Sequence, residues 1–361
     1  MIIFFFFFTK LLLVKNMSEI DLKNYKIRTD LIVESIGSST FDGITTKEKT
    51  INNIKVSDIT VNSNIEELNK KKGKYITISF NDVTDTTNRK NVEKVLSDEL
   101  RNLLNTLQIK ETDKCLVVGL GNYKSTPDSL GPKVINKLVV TRHLYLIDEI
   151  QVDKGYREVS AFTPGVMGTT GIEAKDFIFG LSKEIKSDFV IVIDALASSS
   201  IERVNKTIQI TDTGINPGSG VGNTRVEISK ETIGIPVIAI GIPTVVDAVT
   251  IVSDTIKYLL KKFSYSKANI NKNSNKLKPV TSINYLEKET NELSIEDKEK
   301  LLGFLGHLTE DEIHQLIFEV LSPIGYNLMV TPKEIDFVID KLSLVLSTSI
   351  NTTLHKQIQY D

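Results

Sequence analysis

Three short, unbroken apolar runs constrain the fold of this chain more than any other feature. They read Cys115-Leu-Val-Val118, Phe189-Val-Ile-Val-Ile193 and Pro236-Val-Ile-Ala-Ile240. A strand with one wet face alternates apolar and polar residues. A run without alternation needs cover on both faces, as a parallel strand receives from helices on each side of its sheet. The stretches between and after the runs carry helical spacing, over 127–140, 170–185 and 246–261. Pro127 suits a first helical turn, where its missing N–H costs nothing. Thr170-Gly-Ile-Glu173 has the spacing of a capping box. Strand–helix alternation predicts an α/β fold with a doubly wound, mostly parallel sheet.

The flanks add to this unit. Residues 31–80 read as a β-rich portion, in LIVES at 31–35, then 43–61, then KYITISF at 74–80. Val92, Val95, Leu96, Leu100, Leu103, Leu104 and Leu107 recur at helical spacing and predict a helix over 89–108. A further strand is expected over 207–211, and C-terminal helices over 309–321 and 332–354. Residues 262–296 are rich in Lys, Asn and Ser and read as an exposed loop. At the start, the apolar stretch 2–14 is interrupted by Lys10 and is shorter than the roughly 20 residues a spanning helix needs. It lacks the basic start and small-residue cleavage site of an export signal. We therefore expect Met17 to be the native start and residues 1–16 to be a misassigned extension.

Composition removes several function classes. The net charge of −2 argues against binding nucleic acid through phosphate contacts. The single cysteine, Cys115, excludes an internal disulfide and suits a reducing, cytoplasmic location. The four histidines fall in no metal-ligand spacing. Gly119-Leu-Gly121-Asn-Tyr-Lys124 fails the dinucleotide pattern at Lys124, and no Gly-Lys-Ser/Thr marks a phosphate loop. No G-x-S-x-G or H-E-x-x-H is present. Cys115 lies inside an expected buried strand and reads as a structural thiol. Asp212-Thr213-Gly214 imitates the triplet of bilobal aspartic peptidases, but here it reads as a turn after a strand.

Ligands of open parallel sheets bind beyond the carboxyl ends of the strands. Asp194 directly follows the second apolar run, and Asp128 sits in the loop leaving the first. Two carboxylates from neighbouring strand ends can share one proton, so that one activates water while the other protonates a leaving group. The same pair equally suits a divalent metal. Each aspartate taken singly also suits a helix N-cap. The glycine-dense loop with Gly218, Ser219, Gly220 and Gly222 is a candidate groove wall, because glycine lets backbone N–H groups approach a ligand. Asp247, after the third run, is a weaker groove candidate.

Several segments together resemble one family, the germination proteases of endospore-forming bacteria. They include CLVVGLGNYKSTPDSLGP, SAFTPGVMGTTGIEAKD, VIDALASSSIERVN, TIQITDTGINPGSGVGN, GIPVIAIGIPTVVDAVTI and LSPIGYNLMVTPKEID, in family order from about residue 17 onward. The resemblance implies an endopeptidase that degrades small acid-soluble spore proteins in the spore core during germination. It further implies a self-processing zymogen, a homotetramer, no cofactor, and a fold similar to hydrogenase-maturation peptidases. The family's essential aspartates fall on Asp128 and Asp194, an atypical aspartic-type site. Residues 17–30 correspond to the propeptide, cut between Asp30 and Leu31, and residues 31–361 to the peptidase domain. Ile32 departs from the alanine usual at its position. Neither a nucleic-acid partner nor a membrane partner is implied.

Overall fold

The structure is a computed structural model. It describes residues 29–37, 41–63, 65, 68, 70–147, 152–221, 225–269, 292–321 and 328–358. The expected extension at 1–16, nearly all of the leader, Gly222 and the middle of the 262–296 stretch lie outside these residues.

The described residues fall into two compact units. The larger, within 28–248 and 327–361, is built on one nine-stranded sheet. Its strands are β1 (Ile44–Ile51), β2 (Ile54–Val61), β3 (Gly73–Ser79), β4 (Cys115–Gly119), β5 (Val159–Phe162), β6 (Phe189–Ser198), β7 (Thr207–Thr211), β8 (Val237–Asp247) and β9 (Met329–Val330). They lie in the order β1-β2-β3-β7-β8-β6-β4-β5, with β9 on β8. The expected apolar runs form β4, β6 and β8, which pair in parallel, as do β4 and β5. The N-terminal strands join this α/β unit through antiparallel pairs to β7.

Strand alternation divides the core into two faces. Cys115, Val117, Ile191, Ile193, Ile238 and Ile240 point to one face. There they meet the helices Thr86–Thr106, Leu130–Ile135 and Ile335–Leu354. Leu116, Val118, Val190, Val192 and Val237 point to the other, under Ile178 of the helix Ala174–Glu184. This double cover explains why the runs lack polar alternation. On that second face the cover is split: a separate cluster of Ile32, Ile59, Val61 and Tyr75 lies over β2 and β3.

Three local expectations change. LIVES is not a strand: Ile32–Ile36 is a short helix, fixed by contacts described below. The 127–140 helix is reduced to a 3-10 turn at Thr126–Asp128 and the helix Leu130–Ile135. The capping box at Thr170 does not form. Gly171 takes φ +71° there, and Glu173 becomes the N-cap of the next helix, without a side-chain cap bond.

In the smaller unit, the helices Ala248–Asn269, Ile295–Leu302 and Glu310–Leu321 pack Val249, Ile313 and Ile317 together. The first of these helices occupies 262–269, where an exposed loop was expected. No helix among the described residues is long and apolar enough to cross a membrane.

Candidate active site

β4 stops at Gly119, opposite Ile193, whereas β6 runs on to Ser198. Beyond that point β6 loses its neighbour on one side, and a crevice of about 600 Å³ opens. Asp194 is therefore not a residue after a strand, as the sequence suggested. It lies inside β6, at the first position past the end of β4. Asp30, Asp128, Asp194, Ala197, Gly218 and Gly220 all line the crevice.

Asp128 ends the 3-10 turn, and its Oδ2 accepts the Asn122 N–H at 2.9 Å. The turn is pressed onto the strand end by glycines. A Cβ on Gly121, where φ is +110°, would lie 2.0 Å from the Asp128 carbonyl oxygen. A Cβ on Gly131 would lie 2.3 Å from the Leu120 oxygen, and one on Gly119 2.4 Å from the Gly131 oxygen. Gly119-Leu-Gly121 thus serves close packing of backbone on backbone, which places Asp128.

Both carboxyl groups are harder to ionise than free ones. Burial pushes Asp128 up to about 6. Burial, then the charge of Asp128, then that of Asp30, hold Asp194 well above the ordinary carboxylate range. Asp194 receives one backbone N–H, from Ala195 at 2.9 Å. Two carboxyl groups whose pKa values are both raised, one bearing on the other, form an arrangement suited to sharing acid and base roles.

Asp30 enters the same crevice. Its Oδ2 accepts the Ala197 N–H at 2.9 Å, its Oδ1 accepts the Ser219 hydroxyl at 2.7 Å, and its own N–H donates to the Ala197 oxygen at 3.2 Å. A Cβ on Gly220 would lie 2.2 Å from Asp30 Oδ2, so glycine is required beneath this carboxylate. Leu31 and Ile32 are fully buried. Glu34 fastens the helix that follows: it accepts from Ser198 at 2.6 Å and from the Ser199 N–H at 2.8 Å, and pairs with Arg203 at 3.4 Å.

The structure therefore brings together Asp128, Asp194, Asp30, Ser219 and the glycines at 218 and 220. It does not bring Asp247 in. That residue ends β8 opposite Met329 and is absent from the crevice lining. Asp212 stays a turn residue, accepting the Lys74 N–H at 2.7 Å. Cys115 is buried in β4, and burial raises its thiol pKa far beyond the reactive range. Among the described residues no group of three or more His, Cys, Asp or Glu is arranged to hold a metal ion.

Residues 23–361 match the family described as germination protease. The chain belongs to that family. It is 46% identical to the germination protease of Bacillus subtilis, over 95% of this chain and 97% of that one. It is 48% identical to the germination protease of Bacillus velezensis, over 96% and 98%. Among solved structures, a NiFe hydrogenase maturation protease from Thermococcus kodakarensis matches 40% of this chain and 80% of its own, at 16% identity and a TM-score of 0.25. Family membership makes peptide-bond cleavage the chemistry that the crevice has to explain.

Proposed function

We propose that the chain is an endopeptidase of spore germination that hydrolyses peptide bonds with Asp128 and Asp194. The observation carrying this reading is that a carboxyl group from the turn after β4 and one from within β6 share one crevice, and that the charge of one raises the pKa of the other. Near neutral pH, ionised Asp128 takes a proton from water as it attacks the carbonyl carbon. Protonated Asp194 gives its proton to the leaving nitrogen. The substrates are small acid-soluble spore proteins, as the family resemblance implies.

We further propose that the chain first cuts itself between Asp30 and Leu31. Asp30 already lies beside Asp194, seated by Ala197 and Ser219. While it stays there, an added substrate cannot use that seat, which accounts for latency. The active form is a cytoplasmic homotetramer of the spore core.

The test is incubation of the full chain alone and with a small acid-soluble spore protein, followed by fragment mapping. Wild type should yield a new N-terminus at Leu31 and then fragments of the added protein. Asp128→Asn and Asp194→Asn should each slow both reactions at least about 100-fold. Losses below about tenfold in both variants would remove the assignment.

A further inference from the structure

Beside the crevice, outside its lining, a pair of hydrogen-bond donors that no sequence pattern singles out reaches Asp30. The carbonyl oxygen of Asp30 accepts from Lys70 Nζ at 2.9 Å and from Gln209 Nε2 at 3.0 Å. Gln209 Oε1 accepts the Ile32 N–H at 2.8 Å. One side-chain amide therefore grips the chain on both sides of the peptide bond between Asp30 and Leu31. Leu31 itself is extended, with φ −85° and ψ 127°.

Sheet register shows where this bond lies. Gly241 of β8 pairs with Asp194 on one side and with Gln209 on the other. The three residues form one row across the sheet. Their side chains point to the same face, opposite that of Ile193, Ile240 and Ile210. Two strand spacings separate the backbones of Asp194 and Gln209 by about 10 Å. Gly241 has no side chain of its own, and the Leu196 side chain lies over it. The residue whose carbonyl rests on Gln209 is the residue whose carboxylate bears on Asp194. The Asp30 carbonyl is thus held by two donors while the carboxylate of the same residue lines the crevice with Asp128 and Asp194.

Two donors on one carbonyl oxygen exceed what satisfying a buried backbone group requires; burial lowers the pKa of Lys70, and the charges of Asp30 and Glu34 oppose that shift. Both converge on an oxygen that must carry negative charge during acyl transfer. We propose that Lys70 and Gln209 hold the carbonyl of the bond on which the aspartate pair acts, and stabilise the charge that forms on its oxygen. This rests on the two-aspartate reading above. Water oxygen bonds to the carbonyl carbon and its proton passes to the ionised carboxylate. The C=O electron pair moves onto the oxygen, where Lys70 and Gln209 meet it. The C=O bond re-forms as the C–N bond breaks, and the protonated carboxyl group supplies the proton to the leaving nitrogen. Water is the only co-reactant.

The competing account is that both residues merely anchor residues 29–32. The full chain distinguishes the two once self-cleavage has run to completion and a synthetic peptide with an internal Asp–Leu bond is added. Lys70→Met and Gln209→Met should each lower kcat on the peptide by about 100-fold with KM within threefold, and Lys70→Arg should recover most of the loss. Circular dichroism checks folding, and Gln209→Met decides the matter if Lys70→Met fails to fold. Turnover within threefold of wild type in the processed variants, or a change confined to KM, would overturn the proposal. A wild type that cuts nothing, or an Asp194→Asn variant as active as wild type, would instead sink the two-aspartate reading.

Discussion

Asp128→Asn should abolish cleavage and yet stabilise the fold at neutral pH. The folded carboxyl titrates near 6 against an ordinary value of 3.8, because burial disfavours its charge. The difference, 6 minus 3.8, is about 2.2 units, or about 3 kcal/mol at about 1.36 kcal/mol per unit. The side chain is only half-buried, and solvent screening reduces this to about 1.5 kcal/mol. Below pH 3.8 both folded and unfolded chains hold the proton, and the group makes no difference. Between 3.8 and 6 the unfolded chain releases its proton and the folded chain does not, so stability falls as pH rises. Above 6 the loss is complete and constant. Asparagine has no such term and retains an oxygen to accept the Asn122 N–H. Urea unfolding followed by circular dichroism should give equal midpoints for variant and wild type near pH 3. A gap of about 1.5 kcal/mol should have opened by pH 8, or about 2 °C in Tm. A gap that is the same at both pH values, or a variant less stable at pH 8, would refute the reasoning.

Three other perturbations probe separate contacts. Gly121→Ala forces a Cβ to within 2.0 Å of the Asp128 oxygen at a backbone angle that alanine resists, and should cut activity by at least about tenfold while lowering Tm. Glu34→Ala leaves Arg203 and the Ser199 N–H without their carboxylate; we expect a loss of about 3 kcal/mol in urea unfolding. The same variant should show faster nicking near residue 34 by an added protease. Overnight treatment with a strong chelator should leave self-cleavage within twofold of the untreated rate, and loss of activity restored by a divalent ion would show that the carboxylates bind metal.

Most of the framework was legible in the sequence because it follows from burial on two faces. The runs at 115, 189 and 236 became β4, β6 and β8, and the leucine spacing over 89–108 became the helix Thr86–Thr106. What was illegible depends on distant partners. Residues 31–35 have the composition of a strand, yet Glu34 is claimed by Ser198, Ser199 and Arg203, and the Ile32 N–H by Gln209. These contacts override local preference. The glycines at 119 and 121 have the spacing of part of a nucleotide motif, yet they serve backbone contact with the Asp128 turn. Lys70 and Gln209 carried no signal at all. One leaves the β2–β3 connection and the other lies mid-strand in β7, and only the register through Gly241 aligns Gln209 with Asp194.

The crevice exists because strands of unequal length share one sheet. If β4 continued beside β6, Asp194 would face a neighbouring strand and its helix cover. Because β4 ends at Gly119, the chain must turn there, and the turn itself delivers Asp128. β8 and the loop after β7 supply further walls, and β7 places Gln209 in the same row as Asp194. One carboxyl group thus comes from the turn that ends a short strand and the other from the exposed stretch of a long one. Neither position tolerates a change of strand length: one residue more in β4 moves Asp128 away, and one residue less in β6 turns Asp194 to the opposite face. The family is therefore expected to keep the spacing from Gly119 to Asp128, and from Phe189 to Asp194, more strictly than the side chains between them.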